Sequence, residues 1–225
     1  MVYESGLTRN HLPELHVYIE GDGTPWQQGR YPAKDPSPRR ALAMELMALD
    51  PSPAIYLGRP CYFGLATSDN CGPLEWTARR YSPEVIDSMS ASIANYQRTY
   101  AVQKIVLIGY SGGGTIATLV ARQLESEKFI LTIAANLDIQ MWTEQHGHLP
   151  LEGSLNPVDA IDELQSIPQL HLMGGADATV PNSVTRSYTS QLDETSSRLY
   201  PDFNHSCCWT GIWGDLLEEK PWRGS

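Results

Sequence analysis

Lys104-Ile105-Val106-Leu107-Ile108-Gly109-Tyr110-Ser111-Gly112-Gly113 decides how the rest of this chain is read. The uninterrupted apolar run Ile105–Ile108 is what a strand buried on both faces of a parallel sheet requires. The pattern after Gly113 reads as a helix to about Glu127. Between strand and helix stands Gly-x-Ser-x-Gly. A nucleophile at such a turn sits on strained backbone, and side chains at Gly109 and Gly113 would clash there. The turn lifts the Ser111 hydroxyl above the sheet edge and points the Gly112 N–H at the place where an oxyanion would form. The bare spacing is common, on the order of one sequence in ten at these Gly and Ser frequencies, so its strand-then-helix setting carries the information. A phosphate-cradling loop would need Gly-Lys-Ser/Thr, and this stretch lacks it.

Outward from the elbow, short apolar segments alternate with helical patterns. Strands are predicted at 15–20, 54–58, 104–109, 129–135, 170–174 and 197–200. Helices are predicted at 39–49, at 83–100 with Ser82 as N-cap and Pro83 in the first turn, at 181–192 and at 212–219. Residues 136–157, punctuated by Pro, Gly and His, read as a loop with one helical turn. Strands separated by helices imply right-handed crossovers, hence an α/β fold: a three-layer α/β/α sandwich with a mostly parallel sheet. The expectation is one domain over residues 1–225, its core spanning about 15 to 219, with no insertion long enough for a large lid. Functional groups in such sheets gather beyond the carboxyl ends of the strands.

The composition excludes several classes. The 225 residues are 41% hydrophobic and 19% charged, too apolar for a disordered chain. No apolar run approaches the length of a membrane-spanning helix. Sixteen basic against 26 acidic residues give a net charge of −10, which repels a phosphate backbone, so nucleic acid is not an expected partner. The sequence begins Met1-Val2-Tyr3-Glu4-Ser5, without a basic or apolar leader. A periplasmic or exported location is therefore expected only if a leader has been removed, and a cytoplasmic one otherwise.

A serine hydroxyl needs a base. Of six histidines, His205 lies in the loop after the last strand, from which it can swing over Ser111; His171 sits inside a strand and is expected to pack in the core. The base needs a carboxylate behind it. Asp177, in Gly174-Gly175-Ala176-Asp177-Ala178-Thr179-Val180-Pro181, follows a strand and precedes a helix, with Asp138 in reserve. The order Ser111, Asp177, His205 is that of nucleophile, acid and base in the α/β-hydrolase arrangement.

Together the elbow, the Gly-Gly-Ala-Asp-Ala-Thr-Val-Pro segment and the late His resemble the α/β-hydrolase superfamily over nearly the whole chain. The segments Tyr18-Ile19-Glu20-Gly21-Asp22-Gly23-Thr24-Pro25-Trp26, Gly58-Arg59-Pro60-Cys61, Trp76-Thr77 and Arg80-Tyr81-Ser82 are similar, more narrowly, to a group of small bacterial serine hydrolases of esterase type. The resemblance implies a serine hydrolase that cleaves an ester or thioester of a small or medium acyl compound through an acyl-enzyme, without metal or organic cofactor. It also implies a second oxyanion donor after the first strand, where Glu20-Gly21 replaces the common His-Gly. The backbone N–H of Asp22 is the expected donor, with Gly21 allowing close approach and the Glu20 and Asp22 carboxylates turned away. Acyl transfer or peptide cleavage by the same machinery, and a non-catalytic binding protein on a hydrolase scaffold, are the rival readings.

The expected pocket walls are residues 21–30, 59–79, Tyr110 and 137–155. They offer Trp26, Tyr62, Phe63, Trp76, Trp142 and His148 as apolar surface for a small-molecule acyl substrate. Arg59 and Arg80 are either carboxylate binders or structural arginines. Glu144, His146 and His148 have loop spacing too unspecific for a metal site. Cys61 and Cys71 either form a bridge, adding roughly 3 kcal/mol, or remain free. Cys207-Cys208 is either a vicinal disulfide stiffening the His205 loop or a thiol pair behind it.

Overall fold

The computed structural model describes residues 1–8, 11–192 and 197–223. Its strands are β1 (Val2–Ser5), β2 (Glu14–Ile19), β3 (Trp26–Gln27), β4 (Tyr31–Pro32), β5 (Ala54–Leu57), β6 (Lys104–Tyr110), β7 (Glu127–Ile133), β8 (Gln169–Gly174) and β9 (Ser197–Tyr200). Seven of them form one sheet in the order β1-β5-β2-β6-β7-β8-β9. All pairings in that sheet are parallel except β1 with β5. β3 and β4 make a separate two-stranded hairpin.

Side-chain alternation divides the core between the two faces. Leu15, Val17, Ile19, Ile105 and Leu107 face the helices α2 (Pro83–Thr99) and α3 (Gly112–Ala121). Tyr18, Val106 and Ile108 face α1 (Leu42–Met47) and α7 (Trp209–Glu219), where Trp209 and Trp213 fill the layer. This is the period-2 pattern of a sheet covered on both sides. Every residue of α3 is buried, as an apolar-all-round helix in a core must be. Also present are α4 (Ile139–His146), the short α5 (Ile161–Leu164) and α6 (Asn182–Thr189). Among the described residues no helix is long and apolar enough to cross a membrane.

The topology positions the site. From β2 the chain moves to β5 on one side, then crosses back to β6 on the other. The carboxyl ends of β2 and β6 therefore flank a switch point, where loops diverge and leave a crevice. Ile19 pairs in register with Gly109, so the loop after β2 lies beside the elbow.

Several elements differ from the sequence reading. β1 was not anticipated: all four of its residues are exposed, and antiparallel pairing to β5 holds it in place. The helix after the elbow stops at Ala121, not near Glu127, where β7 already begins. Residues 136–157 hold a two-turn helix, α4, rather than one turn. Asp138 caps it, its carboxylate accepting the Met141 N–H at 3.0 Å, and left-handed Gly147 ends it.

Candidate active site

The elbow forms as its glycines require. Ser111 has φ 52° and ψ −125°, a region costly for any residue with a side chain. A Cβ at Gly109 or Gly113 would collide with backbone, of the Gly113–Gly114 segment and of Ile19–Glu20 respectively. The Ser111 N–H is tied to the Ile133 carbonyl of β7 at 2.8 Å.

The structure brings the three predicted residues together. His205 Nε2 lies 3.0 Å from Ser111 Oγ, and His205 Nδ1 lies 2.8 Å from Asp177 Oδ2. Asp177 is fully enclosed, and its other oxygen accepts the N–H groups of Thr179 and Val180, each at 2.8 Å. These bonds fix the carboxylate before it meets the imidazole. The His205 carbonyl accepts from Trp209 Nε1 at 3.0 Å, anchoring its loop to α7, and the Tyr110 ring packs 5.1 Å from the imidazole. Cys207 and Cys208, two and three residues on, are joined as a vicinal disulfide, and Cys61 and Cys71 form the second bridge.

Asp138 does not compete for the imidazole: it caps α4, and its second oxygen accepts the Ser187 hydroxyl at 2.6 Å. His171 is a core residue between Thr132 (2.8 Å) and Gln169 (3.0 Å). Burial pushes its pKa down to about 3, so it stays neutral.

The loop after β2 supplies the opposite wall. A Cβ at Gly21 would sit 3.1 Å from the Ser111 Cβ, so this loop runs against Ser111. Among the described residues the Asp22 N–H donates to no protein acceptor. The Gly112 N–H is the first of α3, a position without an intrahelical partner. The Glu20 carboxylate turns toward α1, accepting the N–H groups of Gly21 (3.1 Å) and Ala43 (3.0 Å). Burial raises its pKa to about 7, against the lowering effect of those two bonds.

The sequence reading did not foresee what holds Asp22. Its Oδ1 accepts from Arg59 Nη1, and its Oδ2 from Arg80 Nη1 (3.0 Å) and the Tyr81 hydroxyl (2.6 Å). The Tyr62 hydroxyl donates to the Asp22 carbonyl at 3.1 Å. Burial pulls the Asp22 pKa up, but the guanidinium groups of Arg80 and Arg59 prevail and hold it near 2. Arg59 also stacks on the Tyr62 ring, 4.9 Å from its centroid. A Cβ at Gly112 would strike the Asp22 carboxylate and the Tyr81 hydroxyl, so this network stands directly behind the elbow.

A cavity of about 1180 Å³ opens onto Ser111 and His205. Trp26, Tyr110, Trp142 and His148 all line it. Trp142 is pinned by its Nε1 bond to the Thr179 carbonyl (2.8 Å), and its ring packs against both His146 and His148 at 5.2 Å. Tyr62 and Trp76 do not line the cavity; they form a small buried cluster with Cys61. Among the described residues no group of three or more metal-ligating side chains occurs.

No protein-family model and no curated protein matches the chain. Solved structures do. A lipase-esterase related protein from Clostridium acetobutylicum superposes with a TM-score of 0.68 at 14% identity, covering 97% of each chain. Est1E from Butyrivibrio proteoclasticus, solved with ferulic acid bound, gives 0.69 at 11% identity, covering 97% of this chain and 92% of its own. The fold is that of the α/β-hydrolases. Within that fold the chain also resembles a puromycin hydrolase, with a TM-score of 0.68 at 13% identity, but covers only 33% of it. The α/β-hydrolase core here is compact, and no large lid stands over the cavity among the described residues.

Proposed function

We propose that the protein is a serine hydrolase that cleaves a carboxylic ester or thioester of a small or medium acyl substrate. One observation carries the reading: His205 bridges Ser111 Oγ and Asp177, with one ring nitrogen within hydrogen-bond distance of each. In this reading His205 Nε2 takes the hydroxyl proton as Ser111 Oγ attacks the substrate carbonyl carbon. Asp177 holds the ring with Nδ1–H toward itself and favours the imidazolium. The carbonyl oxygen becomes an oxyanion that receives the Gly112 and Asp22 N–H groups, Gly21 giving the room for that approach. The imidazolium returns the proton to the leaving alcohol or thiol. Water then attacks the acyl-enzyme by the same route, regenerating Ser111 and releasing the acid.

Trp26, Tyr110, Trp142 and His148, which line the cavity, form the acyl or leaving-group wall in this reading. The test is labelling with a fluorophosphonate probe, followed by a panel of p-nitrophenyl esters and acyl thioesters. The expected result is stoichiometric labelling that Ser111→Ala abolishes. A folded wild-type protein that takes no label and turns over no member of the panel would leave a ligand-binding protein on a hydrolase scaffold.

A further inference from the structure

The charge lining the cavity runs against that of the chain. The protein carries a net charge of −10, yet Arg30, Arg39, Arg40 and Arg80 line the cavity against Glu20, Asp22 and Glu152. Two of those carboxylates contribute little free negative charge. Burial raises Glu20 to about 7, and Asp22 is shared between Arg59 and Arg80. Two guanidinium groups on one carboxylate leave a surplus positive charge in a cluster where both arginines are buried. An unbalanced buried charge is costly unless something completes the pairing.

Arg80 is the outlet of that cluster. Its Nε donates to the Thr77 carbonyl (2.7 Å) and its Nη1 to Asp22 (3.0 Å). Among the described residues its Nη2 makes no hydrogen bond, and it is not one of the enclosed polar atoms, while the side chain lines the cavity. Arg59, by contrast, donates through Nη2 to the Arg80 carbonyl at 2.7 Å and lies behind the wall. His148 shares the cavity with Arg80. Burial, His146 and the Arg80 charge all push its pKa down.

We propose that Arg80 anchors a carboxylate of the substrate through its free Nη2 edge, with His148 beside it, so that the hydrolase acts on esters or thioesters bearing an anionic group. The proposal rests on the serine-hydrolase reading for its chemistry but not for its binding site. Asp22 sets the distance. Its N–H is the proposed oxyanion donor and its side chain holds Arg80, so one residue ties the reacting carbonyl to the anionic end. Hemiesters of short dicarboxylic acids, with linkers of roughly two to four carbons, are the probes of that span. Arg30 and Arg39 at the rim draw the anion in, Arg40 being paired with Glu45 through both guanidinium edges at 2.8 and 2.6 Å.

The test pairs mono-p-nitrophenyl succinate and glutarate with p-nitrophenyl butyrate and valerate. Wild-type kcat/KM is expected to favour the charged member of each pair by about 10- to 100-fold, the worth of one charge-assisted arginine contact. The advantage should shrink as salt rises. Arg80→Gln should lower kcat for both members of each pair through its hold on Asp22 and, beyond that, abolish the preference for the charged one, and Arg80→Lys should retain part of it. A wild-type enzyme indifferent to the carboxylate, or a preference unchanged in folded Arg80→Gln, overturns the proposal. Because Arg80 also holds Asp22, binding is measured separately on Ser111→Ala protein by calorimetry, with monomethyl and dimethyl glutarate. The monoanion should bind at least 10-fold more tightly than the diester, and equal or absent binding counts against the site. Anion binding without fluorophosphonate labelling of the wild type would sink the catalytic reading alone. Labelling without anion preference would sink the Arg80 assignment alone.

Discussion

Asp22→Asn is the most informative single substitution. It keeps the shape of the side chain, removes its charge, and turns one acceptor oxygen into an amide that must face a guanidinium or a hydroxyl donor. The Asp22 side chain is 19% exposed, and those of Arg59 and Arg80 are 1% and 5% exposed, so solvent does little to replace the lost partner. Two routes give the magnitude. Holding the carboxyl near 2 instead of 3.8 corresponds to about 2 kcal/mol of folding stability. Removing one partner of a buried pair typically costs about 3–5 kcal/mol, because the other charge is left behind. The partial exposure of Asp22 favours the lower end, about 2–3 kcal/mol. For a chain of this length that lowers Tm by roughly 4–12 °C.

The pH dependence has a definite sign. A depressed carboxylate stabilises the fold above its unfolded value of 3.8, and the contribution is lost as pH falls through about 2. The loss in Asp22→Asn should therefore be full at pH 7 and narrow as the wild type is acidified. Thermal melts and urea titrations between pH 3 and pH 7, with ester turnover at pH 7, measure both effects. A melting point within about 1 °C of wild type at pH 7, together with unchanged kcat, would refute the claim that this network holds the proposed oxyanion donor in place.

Three further outcomes are expected. Asp177→Asn keeps an oxygen for Thr179 and Val180 but turns an amide N–H toward His205, forcing the wrong tautomer; kcat should drop on the order of 10⁴-fold with KM little moved, read on the best ester of the panel. Glu20, raised from 4.5 to about 7 by burial, contributes stability that is intact below 4.5 and lost as pH rises through 7, so Tm should decline across that window and Glu20→Gln should flatten the decline. Asp138→Ala removes the α4 cap and the Ser187 contact, costing about 1–2 kcal/mol in denaturant titration, and should loosen Trp142, raising KM for aryl esters more than it lowers kcat.

What the sequence made legible was local. The elbow, the Asp177 turn and the His205 loop each sit immediately after a strand and carry their own turn residues, so their place at one sheet edge followed from chain order. The α4 helix carries readable signals, Asp138 as N-cap and Gly147 as a left-handed stop, which the Pro and His residues nearby obscure. The apolar spacing runs past the end of α3 because Leu124 extends it, while Glu127 and Lys128, polar and at least partly exposed, open a strand. β1 carries no pattern of its own, its four exposed residues being ordered by β5 and by the Gly58 N–H bonded to the Met1 carbonyl at 2.9 Å. The Asp22 network was illegible for a different reason. Its partners stand 37, 58 and 59 residues away, and charge pairing over such separations leaves no periodicity to read.

That difference separates the two proposed oxyanion donors. Gly112 follows Ser111 directly, so whatever fixes Ser111 fixes the Gly112 N–H. Asp22 belongs to another loop and is held by Arg59, Tyr62, Arg80 and Tyr81, all within one segment that the Cys61–Cys71 bridge ties down. Arg59 and Tyr62 flank Cys61 closely in sequence, and Tyr62 packs with Cys61 and Trp76 in a cluster apart from both main cores. This satellite wall can loosen while the sheet and its two helical layers stay folded. Reducing the bridge, or truncating Trp76, should therefore depress turnover at temperatures where the main core still shows its full native melt, because the second donor is lost before the fold.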